Sequence, residues 1–218
     1  MNKQTLYEMN TYILDKIVDF GDFYKTENIE ISSFSDWNTR DVIGHINAWV
    51  DFFNKKLESF KKDTSFRNLG ENGLEKYNKE SYERNKNKKL NDVMNESKTV
   101  FGEYKNSLEL FSEDELFSRE FPTGFDVELW RYASMDLIIH PINHILYQYL
   151  KRRDYEKFLS EAGEMHTYCV EYSDDNETMY YFQDLFESEE NKNMIITEIV
   201  EKYKGNKLLK KIIKINME

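Results

Sequence analysis

The chain has 218 residues, of which 39% are hydrophobic and 33% are charged, and its formal net charge is -11 at pH 7. This acidic balance opposes general binding to nucleic acid, because the phosphates would be repelled, and no run approaches the roughly 20 apolar residues of a membrane-spanning helix. The single cysteine, Cys169, excludes an intramolecular disulfide. Because the amino-terminal segment also lacks the features of a signal peptide, a cytoplasmic location is predicted.

Glycine and proline are rare in this sequence, whereas aromatic residues are abundant. Only 8 Gly and 2 Pro leave few residues that favour tight turns, so long helices are expected. The 15 Tyr, 15 Phe and 3 Trp offer a large area for burial and argue against disorder. The composition therefore predicts an all-α fold, with one main domain at this length.

Two amphipathic helices are predicted in the first part of the chain. Apolar residues spaced by three and four positions predict a first helix that ends within Gly21–Lys25. Asn38 or Thr39 is suited to cap a second helix over about Arg40–Phe60, and Asp41 in its first turn complements the helix dipole.

The third and fourth predicted helices follow a long polar connection. This connection contains two glycines and predicts a loop with a short helix over about Leu74–Arg84, a candidate for covering a binding site. Leu90–Phe111 has the pattern of a third helix, and a fourth is expected to begin near Asp126.

The fourth helix carries the segment LIIHPINHIL, residues 137–146, in which a proline separates two histidines. His140 and His144 are four residues apart, so one helical face can present both imidazoles. Pro141 cannot donate a hydrogen bond to the carbonyl of Leu137, and it crowds the preceding turn. We expect the helix to kink or restart there, with Pro141 in its first position and His140 pushed away from helical dihedrals.

Beyond Arg153 an acidic, tyrosine-rich stretch is followed by two more amphipathic segments. One apolar stripe lies within Ile195–Tyr203, and a second lies within Leu208–Ile213, after a helix stop at Gly205. These stripes must be buried, so the segments are expected to pack on the preceding helices, on each other or on a second copy of the chain.

Three of the 4 histidines lie on the inward faces of predicted helices. His45 falls in the apolar stripe of the second helix, and His140 and His144 fall on the fourth. Three neutral imidazoles suit Zn(II), Ni(II) or Fe(II) and leave a coordination position open. The alternative is a buried helix whose imidazoles are hydrogen-bonded and bind no metal. Asp136, four residues before His140, has the spacing of a carboxylate that orients a ligating imidazole.

Three segments resemble a known family of helical proteins. DWNTRDVIGHINAWVDFF, residues 36–53, resembles the second-helix motif of the DinB/YfiT-like metalloenzyme superfamily. Residues 76–117 and the sequence LWRYASMDLIIHPINHILYQYL, residues 129–150, are similar to its ClbS/DfsB branch. The resemblance implies an up-and-down four-helix bundle over residues 1–153, and it leaves a helical C-terminal extension over residues 154–218.

The resemblance also implies a set of site residues. The metal-binding triad of the superfamily would fall on His45, His140 and His144. The ClbS-like pattern is matched at three positions that would contact substrate: Tyr77, Asn78 and Tyr82. Trp49, one turn after His45, is a further candidate for the pocket wall.

Three functions are compatible with these residues. The first is a metal-dependent enzyme that acts on a small electrophilic molecule, as a hydrolase or as a transferase that uses a low-molecular-weight thiol. The second, implied by the ClbS/DfsB branch, is a metal-free protein that binds or hydrolyses a reactive metabolite for self-protection. The third is an interaction module in which the C-terminal helices form a homodimer or capture a partner.

Overall fold

The computed structural model of the protein describes residues 2–25, 37–62, 73–118, 120, 127–170, 182, 185 and 189–217. Within these residues the chain is helical and contains no β-strand, which confirms the predicted all-α class. In chain order the elements are α1 (Lys3–Phe23), α2 (Thr39–Lys61), α3 (Gly73–Asn85), α4 (Leu90–Glu109), α5 (Glu113–Phe117), α6 (Leu129–Ser134), a π-helical segment (Met135–Ile139), α7 (His140–Lys151), α8 (Tyr155–Val170), α9 (Glu189–Lys202) and α10 (Lys207–Met217).

The chain divides into two compact units, Asn2–Leu137 and Ile138–Glu218. The first unit contains α1, α2 and α4, which all contact one another, and α3, which contacts α2. In the second unit α7 contacts α8. The division into domains after Arg153 stays a prediction.

The cap and the apolar stripe predicted for the first two helices are confirmed. The stripe of α1 is buried from Leu6 to Phe20, and α1 ends at Phe23, within the predicted range. Asn38 caps α2, because its side chain accepts from the backbone N–H of Asp41 while the Asp41 carboxylate accepts from the backbone N–H of Asn38. This reciprocal pair satisfies two backbone donors that a helix N-terminus would otherwise leave open.

Buried asparagines fix the register of α2 against α4. The Nδ2 of Asn47 donates to the carbonyl of Val93 at 2.9 Å, and the Nδ2 of Asn54 donates to the carbonyl of Val100 at 2.9 Å. On each helix the second residue lies two helical turns after the first, so both hydrogen bonds can form at only one register of α2 against α4. A sliding movement of either helix would leave buried amides without partners, at about 1–3 kcal/mol each.

A helix does restart beside Pro141, because α7 begins directly after the π-helical segment, but Pro141 is the second residue of α7 and not, as predicted, the first. The expected departure of His140 from helical geometry is wrong, because His140 is the first residue of α7 and Ile139 before it has φ -65° and ψ -50°. A π turn is wider than an α turn, which gives room for the proline ring without breaking the helix. The predicted start of the fourth helix, near Asp126, lies outside the described residues, and α6 begins at Leu129.

A turn without glycine joins α7 to α8. Arg153 has φ 58°, and it sits between two backbone hydrogen bonds, from its own N–H to Leu150 and from the N–H of Asp154 to Tyr149. This pattern is the Schellman motif, which usually uses glycine at the left-handed position. Elsewhere in the second unit, the Asn216 side chain of α10 donates to the carbonyl of Phe182 at 2.7 Å.

Among the described helices, none combines the length and the apolar character needed to cross a membrane.

Candidate metal centre

His140 and His144 form a close pair on the first turns of α7. Their Nε2 atoms are 2.9 Å apart, and the two rings are nearly perpendicular, at 86°. When both imidazoles are neutral, a hydrogen bond at this distance requires one Nε2 to donate a proton to the other, and the two rings are then in different tautomers. The prediction that a single helical face presents both rings is confirmed.

The spacing of this pair is close to that of two ligands of one ion. Zinc–imidazole bonds are about 2.0–2.1 Å long, so two nitrogens on a tetrahedral zinc ion lie about 3.3–3.4 Å apart. The Nε2 atoms of the pair on α7 lie 2.9 Å apart, so they would separate by about 0.5 Å on binding an ion. Burial lowers the pKa of His144 from its usual value near 6.5 to about 4. The His144 imidazole is therefore neutral at pH 7, as a metal ligand must be.

His45 is held within an aromatic environment on α2. Only 5% of its surface is exposed. The ring of Trp37 lies 4.6 Å from the imidazole between centroids, and the ring of Trp49 lies 6.3 Å away. Trp37 precedes the N-cap of α2, so its contact with His45 follows from the path by which the chain enters the helix. This contact was not predicted, since helical periodicity does not extend to residues before the cap.

The ligand-capable atoms of His45, His140 and His144 all lie within 4.8 Å of one another, and this group can hold a metal ion. Whether these three residues bind a metal stays a prediction.

The predicted short helix in the polar connection is confirmed as α3, and it packs against α2. The Nε1 of Trp49 donates to the Oδ1 of Asn78 at 3.0 Å, and the hydroxyl of Tyr77 donates to the carbonyl of Ala48 at 2.6 Å. The rings of Trp49, Tyr77 and Phe52 contact one another, with centroids 5.2–5.5 Å apart. Three predicted pocket residues therefore share one surface beside the α2 segment that carries His45.

Two other predicted site residues lie on α3 and in the π-helical segment. Tyr82 is half-buried on α3, and its contact with a substrate stays a prediction. Asp136 lies in the π-helical segment. Its side chain is outside the described part of the structure, so its role in orienting an imidazole also stays a prediction.

Sequence reasoning missed the contact between Gly44 and Asn85. The Nδ2 of Asn85 donates to the carbonyl of Gly44 at 3.1 Å, and a Cβ added at Gly44 would lie 2.7 Å from that nitrogen. A glycine inside an apolar helix was the available signal, because it often marks a close approach of another segment. The lack of a side chain at Gly44 allows α3 to lie directly against α2.

We expect Gly44→Ala to lower the free energy of unfolding by about 1–2 kcal/mol, because the new methyl group would overlap Asn85. The higher helix propensity of alanine, about 1 kcal/mol, offsets part of the cost. Gly102→Ala is the matched control on α4, where no described atom lies within 4 Å of an added Cβ. The control should gain about 0.5–1 kcal/mol. Urea denaturation measures both, and equal responses would contradict the close packing of α3 on α2.

Comparisons with family models, with curated proteins and with solved structures found no match to this chain. In the part of the chain that the structure describes, the fold is all-helical, and it includes a group of three histidines that could hold an ion. The resemblance to the DinB/YfiT-like superfamily stays a prediction that rests on the quoted motifs.

Proposed function

We propose that the protein is a metal-dependent enzyme in which His45, His140 and His144 hold a divalent ion. Its substrate would be a small electrophilic molecule, and its reaction would be hydrolysis or transfer of a low-molecular-weight thiol. The observation that carries this proposal is the close grouping of three imidazoles. The corresponding fold is the up-and-down four-helix bundle of the DinB/YfiT-like superfamily, with ClbS/DfsB proteins as the nearer branch.

The donor set decides which ions are suitable. Imidazole nitrogen suits Zn(II), Ni(II) and Fe(II), whereas Mg(II) and Ca(II) take oxygen ligands. The three imidazoles of His45, His140 and His144 would hold such an ion, and a zinc ion there would supply a Lewis acid that lowers the pKa of water to about 7. The His144 imidazole is already neutral at pH 7, because burial keeps its pKa near 4.

The aromatic surface beside His45 supports a small organic substrate. Trp49, Phe52 and Tyr77 are each half-buried, so part of every ring faces outward. Such rings bind apolar or planar groups and exclude water from them. In the proposed enzyme this surface would hold the body of the substrate, while its electrophilic atom reaches the histidine cluster.

A second candidate function is a metal-free protective protein of the ClbS type. The observation that favours it is the hydrogen bond between His140 and His144, which gives each imidazole a partner without an ion. Protection of cells by such a protein would be insensitive to chelators and sensitive to loss of Trp49 or Tyr77.

Metal content distinguishes the two candidates. We expect protein that is purified without a histidine tag and without chelators to contain about one Zn, Ni or Fe per chain, since three imidazoles bind these ions tightly. Elemental analysis measures this, and calorimetric titration of the chelator-treated protein measures affinity. Protein that contains no metal, and binds none of the three ions at micromolar concentration, would contradict the proposed function.

A further inference from the structure

Helix α3 is attached to α2 by polar groups and by one aromatic residue, Tyr77. The residues it buries are Gly73, Ser81 and Asn85, and its large aliphatic side chain, Leu74, is 59% exposed. A helix with so little apolar burial gains little from the hydrophobic effect. Its specific contacts with α2 therefore largely determine where α3 lies.

These contacts bracket His45. Asn85 donates to the carbonyl of Gly44, the residue directly before His45, and the hydroxyl of Ser81 approaches the same carbonyl at 3.5 Å. Tyr77 donates to the carbonyl of Ala48, one turn further along α2. The two carbonyls lie on either side of His45 in the sequence, and both receive a donor from α3.

The donors are not needed to satisfy the α2 backbone. Inside a helix each carbonyl already accepts a hydrogen bond from the N–H four residues ahead. The side chains of Asn85 and Tyr77 are thus additional partners, and their effect is to fix where this turn of α2 lies. The direct contact of Asn85 with Gly44 leaves little room for the turn to shift toward α3.

We propose that Asn85 and Tyr77 are positioning residues for His45, and that α3 sets the affinity of the histidine cluster for metal by holding the Gly44–Ala48 turn. This inference rests on the proposed function. Loss of partners that orient a metal ligand typically reduces metal affinity by about 10- to 100-fold. A shift of a few tenths of an ångström matters at such a site, because metal–nitrogen bonds tolerate only about 0.2 Å.

The test uses substitutions that remove hydrogen bonds and keep shape. Tyr77→Phe retains the ring that contacts Trp49 and Phe52, and Asn85→Leu retains the branched side chain against Gly44. The matched control is Asn54→Leu, which removes an equivalent amide-to-carbonyl hydrogen bond between α2 and α4, away from His45. Zinc affinity is measured by competition with a chromophoric chelator, and unfolding is measured for the metal-free proteins.

We expect the Tyr77→Phe/Asn85→Leu variant to bind zinc about 10- to 100-fold more weakly, whereas Asn54→Leu loses stability and keeps the affinity of the unchanged protein. Equal affinity in all three proteins, or an equal loss in both variants, would overturn the positioning role and leave the proposed function standing.

A third outcome separates the two proposals. If the unchanged protein binds no zinc, nickel or iron, the proposed function fails, and the imidazole NMR signals of His45 decide the positioning role. Signals that shift or broaden in the double variant, and not in Asn54→Leu, support it. Signals that are the same in all three proteins overturn it.

Discussion

Replacing His144 with alanine is expected to weaken zinc binding by about 10²- to 10³-fold. Complete structural zinc sites are worth about 10–16 kcal/mol, so one of their four ligands accounts for roughly 3–4 kcal/mol, and each 1.4 kcal/mol is a factor of ten. His144 lies 2.9 Å from its partner His140, between Nε2 atoms, and its low pKa keeps it neutral. Its removal leaves two imidazoles, and two do not close a zinc site.

The fourth histidine supplies the control for this experiment. His166 lies on α8, outside the cluster, and its ring contacts Phe182. His166→Ala removes one imidazole from the chain but should leave zinc affinity within about twofold, because substitutions at independent sites rarely change each other's effects. Competition with a chelator measures both variants. A similar loss in the two proteins, or an unchanged affinity in His144→Ala, would contradict ligation by His144.

Features that depend on residues close together in the sequence were predicted well. The stripe from Leu6 to Phe20 and the cap at Asn38 depend on residues within one or two turns of each other, and both are present. The three histidines also were found from the sequence, because their periodicity places them on the apolar faces of two helices. Their grouping within 4.8 Å makes metal binding feasible without identifying the metal.

Contacts between polar side chains and distant backbone could not be predicted in the same way. The hydrogen bonds from Asn47 and Asn54 to α4 join residues 46 positions apart, and the one from Asn85 to Gly44 joins residues 41 positions apart. A buried asparagine and a solvated one look alike in sequence, since the amide suits both. No periodic pattern in the sequence identifies the backbone group to which a buried asparagine will donate.

The π-helical segment is a second feature that periodicity cannot show. The sequence predicts a disturbance of the fourth helix at Pro141. The wider turn lies before the proline instead, at Met135–Ile139. A proline in the sequence indicates that the helix must change its geometry nearby. Several changes relieve the same steric crowding, and the packing around the turn determines which of them occurs.

The stability of the metal-free protein is expected to fall by about 2 kcal/mol as the pH is lowered from 7.5 to 5, and by about 3 kcal/mol at pH 4, through His144 alone. Its pKa is about 4 in the folded protein and about 6.5 in an unfolded chain. The unfolded chain therefore takes up a proton first, so the stabilisation is present above pH 6.5 and is lost as the pH falls toward 4.

Urea denaturation in the presence of chelator measures this loss, with His144→Gln as the comparison. Glutamine cannot be protonated, so the variant should lose about 2 kcal/mol less between pH 7.5 and pH 5. The carboxylates whose pKa is lowered by folding, such as Glu109 and Glu198, titrate below this window and respond alike in both proteins. Parallel pH profiles would mean that the folded protein does not hold the His144 imidazole neutral, and the inference that it is a neutral ligand on α7 would then be wrong.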